Sequence, residues 1–78
     1  MLLFSRHARL RMRERHVGER LVIDTIGSPD KTTVEGNQYT AAKRYGNNVL
    51  IVVYNKTEGI DFIVTVIFSP KLMKYLGK

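Results

Sequence analysis

The stretch Leu21-Val22-Ile23-Asp24-Thr25-Ile26-Gly27-Ser28-Pro29-Asp30-Lys31-Thr32-Thr33-Val34-Glu35 contains a change of hydrophobic period. Up to Ile26, the residues Leu21, Val22, Thr25 and Ile26 fall at separations of one, three and four, the spacing of one helix face. Gly27-Ser28-Pro29-Asp30 stops that helix in a turn. From Lys31 onward the period is two, as in strands whose side chains alternate between faces. Helix before Pro29 and sheet after it make an α+β chain.

Working outward, Arg6 to His16 contains no glycine, proline or β-branched residue and follows Ser5, a good N-cap. This predicts a first helix, broken at Gly18, and a second from Glu19 to Ile26. On the other side of Pro29, strands are predicted at Lys31 to Glu35, Gln38 to Tyr45, Val49 to Tyr54 and Ile60 to Phe68. Gly36-Asn37 and Gly46-Asn47-Asn48 supply turns, Asn55 to Gly59 a loop, and Pro70 stops the sheet. Leu2 to Phe4 is a candidate for a short extra strand. The tail, Lys71 to Lys78, reads as either one helical turn or an edge strand. The expected architecture is two N-terminal helices packed on a four-stranded antiparallel sheet, in one domain spanning 1–78.

The last two strands are apolar on both sides. Ile60, Phe62, Val64, Val66 and Phe68 form one alternate set of the last strand, with Asp61, Ile63, Thr65 and Ile67 opposite. Val49, Ile51 and Val53 likewise oppose Leu50, Val52 and Tyr54. A sheet with one wet face alternates more cleanly. The second face is therefore expected to be covered in part, by the tail, a second copy of the chain or another protein.

Composition removes several function classes. The 78 residues contain no cysteine, which excludes disulfides, thiolate metal sites and cysteine nucleophiles. Two histidines without a carboxylate cluster argue against a metal site, and nothing suggests a cofactor. The longest apolar run, Val49 to Tyr54, is far short of the roughly 20 residues that span a bilayer. Met1 to Phe4 lacks the basic flank of a signal peptide. A soluble cytoplasmic domain without a membrane role is expected.

Charge points the other way, toward a partner. The formal net charge is +6. Residues 1–16 hold five arginines against Glu14, and the rest of the chain is nearly balanced, with eight bases against six acids. A basic patch of this density suits polyanions. At 100° per residue, Ala8 and Met12 face the sheet, and His7, Arg11 and Arg15 form a row along one flank of that stripe. Arg6, Arg9 and Arg13 project from the solvent side, as candidates for nucleic-acid contact. The row either lines a groove at the helix–sheet boundary or lays its aliphatic stems along the core, with His7 bonded to a backbone carbonyl.

The second strand adds Lys43 and Arg44 on opposite faces, and Tyr39, Lys43 and Tyr45 on one face. Stacking aromatics beside a cation suit single-stranded RNA, and a tyrosine-rich strand packing its neighbours looks the same. Tyr54 is a candidate proton donor or a core tyrosine with a wet tip.

Phe4-Ser5-x-His7-Ala8-x-x-Arg11-Met12-x-x-Arg15-x-Val17 resembles the F-[ST]-x-H-A-x-x-R-M-x-x-R-x-[IV] opening of the domain-of-unknown-function 4258 family. Ser28-Pro29-Asp30, Lys43-Arg44-Tyr45-Gly46, Val52-Val53-Tyr54 and Val64-Thr65-Val66 extend the likeness over nearly the whole chain. The resemblance implies a small α+β fold similar to the RelE/ParE/BrnT toxin superfamily, whose members are mostly partnered by antitoxins and some of which cleave RNA. It makes His7, Arg11, Arg15, Lys43 and Tyr54 the candidate catalytic residues. His16-Val17-Gly18 departs from the pattern, since relatives often place glycine before the aliphatic residue.

Two readings stay open. One is a toxin-like RNA-processing domain of the metal-independent ribonuclease type, in which the 2′-hydroxyl of RNA is the nucleophile. Arginines would hold the phosphate, and His7 or Tyr54 would move protons. The other is a non-catalytic module binding nucleic acid or an acidic, antitoxin-like protein through the same arginines and a sheet edge.

Overall fold

A computed structural model describes residues 1–77; Lys78, the last residue of the expected tail segment, lies outside the described residues. The elements are β1 (Leu2–Phe4), α1 (Arg6–Arg15), α2 (Glu19–Gly27), β2 (Lys31–Glu35), β3 (Gln38–Tyr45), β4 (Asn48–Thr57), β5 (Ile60–Ser69) and α3 (Leu72–Leu76). The candidate N-terminal strand forms and makes the sheet five-stranded and mixed, in the order β1-β5-β4-β3-β2. β1 runs parallel to β5 because the chain crosses the sheet through α1 and α2 before it begins the antiparallel β2 to β5 meander. β4 runs to Thr57, so the expected loop at Asn55 to Gly59 shrinks to a tight turn at Glu58-Gly59 with positive φ at both residues.

The main core lies between the sheet and the two N-terminal helices. Ala8 and Met12 from α1, Val22 from α2, and Leu50, Val52, Tyr54, Ile63 and Val66 from the central strands are all buried there. A fully buried leucine or isoleucine such as Leu50 or Ile63 contributes about 1.5–3 kcal/mol. The other face carries a smaller cluster of Ala42, Val49 and Ile51, packed with Leu72, Tyr75 and Leu76. The tail is thus a helix, and it supplies part of the expected cover. Leu3, Phe62 and Ile67 remain exposed.

A register shift in β5 overturns the simple alternation expected there. Val53 pairs with Thr65 while Tyr54 pairs with Ile63, so Val64 is an extra residue without a partner. Such a bulge switches the side-chain order. Ile63 and Val66 therefore both point into the core, and the apolar set Ile60, Phe62, Val64, Val66 and Phe68 is divided between the two faces. Ser5 accommodates the bulge. Its hydroxyl donates to the Val64 carbonyl at 2.8 Å and accepts from the Ala8 amide at 2.9 Å, and its own amide donates to the Ile63 carbonyl at 3.0 Å.

The end of α1 also differs from expectation. The helix is stopped by His16, in the left-handed region with φ 57°, rather than by Gly18. The His16 amide donates to the Arg13 carbonyl, and the Val17 amide donates back to the Met12 carbonyl at 2.8 Å. Val17 and Met12 are both buried, which completes a Schellman cap. The departure from the glycine pattern noted above thus falls at the one residue of this turn that adopts a glycine-like conformation. Gly18 instead precedes α2, at its N-cap.

Candidate functional site

Only Ala8 and Met12 of α1 are buried, and this narrow stripe, with Ser5 and Val17 at the two ends, holds the helix on the sheet. This leaves both flanks of α1 open, and a hollow lies along each.

The first flank carries the predicted row. His7, Arg11 and Arg15 line a groove of about 340 Å³ together with Thr65, Val66 and Ile67 of β5. Arg11 pairs with Glu14 at 3.1 Å, an exposed contact worth little in water. Arg15 has no ion pair among the described residues, and neither His7 nor Arg15 makes a side-chain hydrogen bond there. The strand beside the row is an open edge. β1 covers β5 only from Asp61 to Ile63, after which the chain turns at Ser5 into α1. On that side, no strand pairs with Val64 to Ser69.

The second flank is lined by Phe4, Arg6, His7, Arg9, Leu10 and Arg13 around an open hollow of about 480 Å³. Arg9 belongs to this flank rather than to the outermost solvent side. Its guanidinium lies 4.2 Å from the Phe4 ring centroid and pairs with Glu19 at the start of α2. That contact links the two helices and stacks the arginine on an aromatic face. Arg6 and Arg13 have no ion pair among the described residues.

The remaining candidates lie elsewhere. Lys43 is on β3, two strands from β5, and pairs with Asp24 of α2 at 3.4 Å. Tyr45 donates to Asp24 at 2.7 Å and lies 3.1 Å from the Thr25 hydroxyl. The hydrogen bonds from Tyr45 and then Lys43 hold the Asp24 carboxyl below the usual carboxylate range. Burial, above all, pushes the Tyr45 phenol up. This network docks α2 on β3, so Lys43 and Tyr45 sit against a helix instead of presenting a stacking surface.

Tyr54 is 4% exposed and stacks on Tyr39 with ring centroids 5.4 Å apart. Burial, with the charge of Asp61 second, raises its phenol. The Lys56 ammonium lies 5.4 Å from the Tyr39 ring. Arg44 is on the opposite sheet face, exposed, and donates from Nε to the Gly46 carbonyl at 2.7 Å. Of the five candidate catalytic residues, therefore, His7, Arg11 and Arg15 share a groove, while Lys43 and Tyr54 do not line it.

The sequence reading invoked a sheet edge without locating it at Thr65 to Ile67, and missed the part played by Phe4 and Leu10 in the second hollow. The edge had no signal of its own, because the length of β1 decides where it begins. Among the described residues no group of three metal-ligating side chains is assembled, and no helix is long and apolar enough to cross a membrane.

No curated protein and no solved structure matches the chain. The family described as Domain of unknown function (DUF4258) matches residues 4–68, which hold the last residue of β1, both N-terminal helices and nearly all of β2 to β5. With that match running from the Phe4 of one hollow through the β5 edge of the other, the chain belongs to the DUF4258 family.

Proposed function

We propose that this is an RNA-binding domain of the toxin-like type, similar to the RelE/ParE/BrnT superfamily, which holds a single strand against the arginine surface of α1. The observation that carries the reading is the second flank, where Arg6, Arg9 and Arg13 surround Phe4 and Leu10 in one hollow. Arg6 and Arg13 have no ion pair to break before they meet phosphate, and Arg9 on Phe4 forms a flat platform against which a base can lie. Fluorescence anisotropy of a labelled single-stranded RNA, across a salt series, tests it. Affinity should fall steeply with salt, by a slope of about 0.7 for each phosphate neutralised. Absence of binding at low salt refutes it.

RNA cleavage is the second reading, supported by the single histidine that shares a groove with two arginines. Arg11 and Arg15 would hold the phosphate while His7 moves a proton from the 2′-hydroxyl. Its test is cleavage of the same RNA by the wild type, lost in His7→Ala with the melting temperature retained. If Tyr54 supplies a proton, Tyr54→Phe abolishes cleavage as well; buried against Tyr39, it is the weaker candidate.

A further inference from the structure

We propose that the two hollows are halves of one site, and that a single RNA strand crosses α1 from one to the other over His7. The site then selects a single strand of about three nucleotides or more, against both a duplex and a free nucleotide. This rests on the RNA reading above and adds the path of the strand. The observation behind it is that His7 lines both hollows, alone among the residues around them. It is exposed and has no ion pair among the described residues, so nothing bars the passage.

The helix surface on either side of His7 is continuous. At 100° per residue, Arg15, Arg11, His7, Leu10, Arg6 and Arg13 follow one another around α1, outside the buried Ala8 and Met12. Charge fixes where the crossing falls. The first turn of α1 holds no acid, and the one acid of the helix is Glu14, which pairs with Arg11. Seven residues after His7, Glu14 points the same way about 10 Å further along the helix. A phosphate passing there would meet a carboxylate, whereas over His7 it meets only nitrogen donors.

The span sets the ligand. A helix with its side chains is about 10–12 Å across. A stacked strand advances about 3.4 Å per nucleotide, so reaching from one hollow to the other takes about three nucleotides. A mononucleotide or dinucleotide fills one hollow and gains nothing from the second. A duplex is too stiff to bend around a single helix, and it reaches one hollow at a time. The two flanks then have separate tasks. Arg9 on Phe4 offers a flat face to a base, and Arg11 and Arg15 hold the phosphate that has crossed.

The test uses the whole chain and oligouridylates of two to eight nucleotides. Affinity should rise about 100-fold between the dinucleotide and the tetranucleotide, as the two hollows become linked, and then level off. Amides of Leu10 and Ile67 should shift together in one NMR titration. A spin label on one end of a hexanucleotide should broaden signals on one flank, and a label on the other end those on the other flank. Arg15→Ala should weaken the tetranucleotide about fivefold and leave the dinucleotide within about twofold, since the dinucleotide rests in the Phe4 hollow. His7→Glu should bring the tetranucleotide close to the dinucleotide. A climb in affinity with no levelling, both labels acting on the same flank, or a duplex that binds as well as the single strand overturns the inference. Those results are read on the unaltered chain. Failure of every oligonucleotide to bind would refute the RNA reading with it. Binding that ignores both Arg15→Ala and His7→Glu would refute the crossing alone, because Arg6 and Arg13 would still hold the strand.

Discussion

The two flanks of α1 are built from the same residue type and differ in what lies opposite. On one side, arginines face a bare strand edge; on the other, they surround Phe4 and Leu10, and one of them is tied to α2. Arginines beside backbone donors and acceptors stand along a line of polar groups, and an arginine stacked on an aromatic ring presents a flat face. The lesson is that an arginine count predicts a polyanion surface, but the neighbour decides which kind.

The largest expected effect removes the comparison altogether. Ser5 anchors α1 to β5 and so positions both flanks. Ser5→Ala should cost about 2 kcal/mol, combining a lost N-cap with a bulge carbonyl left without its donor. In a domain of this size the melting temperature should drop by about 10 °C, measured by circular dichroism, with RNA contact at both flanks weakened together. A change confined to one flank would show that the flanks are positioned independently.

Arg6→Ala with Arg13→Ala sharpens the contrast. These substitutions should lower RNA affinity about tenfold at low salt and flatten the salt slope by about 1.4, two phosphates' worth, while the contacts of Arg11 and Arg15 are retained. An unchanged salt slope would remove RNA from the second flank.

A smaller effect, of opposite sign, comes from the end of α1. His16 occupies a left-handed conformation that costs a side chain about 1 kcal/mol relative to glycine. His16→Gly should raise the melting temperature by about 4–8 °C and leave RNA binding intact. A loss of RNA cleavage or binding would assign His16 a contact that its position does not suggest.

The smallest effect concerns two tyrosines beneath the helices, Tyr45 where α2 docks on β3 and Tyr54 in the core. The Tyr45 and Tyr54 phenols are both raised, mainly by burial, so each holds its proton longer in the fold than in the unfolded chain. Their contribution is complete below the unfolded value of 10.0 and is lost as pH rises through the folded values. Thermal melts should therefore decline in alkali, and Tyr45→Phe should flatten the decline. Asp24 works in the other direction. Its lowered carboxyl contributes above the ordinary value of 3.8, and that contribution is lost as pH falls through the folded value. A pH profile identical in wild type and Tyr45→Phe would show that Tyr45 is not the responsible phenol.

Much of this was readable in residues close together along the chain. Ser5 as an N-cap, the absence of breakers from Arg6 to Arg15, the stop at Gly27-Ser28-Pro29 and the glycine turns all act within a few positions. So does the row His7, Arg11 and Arg15, since helix geometry alone places them on one flank. Lys43 and Tyr54 could not be placed in this way. Whether they join that row depends on strand order and on α2, which draws Lys43 to Asp24.

The residue types and their local spacing by themselves determined the α+β class, the basic helix and its two arginine sets, because propensity and periodicity operate over one or two turns. Tertiary structure alone decided the bulge at Val64, the handing of its carbonyl to Ser5, and the free edge beside Arg11 and Arg15. The Ser5 bond to Val64 joins residues 59 positions apart. A strand as largely apolar as β5 carries no mark of where its register will slip, so the slip is settled only when β1, α1 and β4 pack around it.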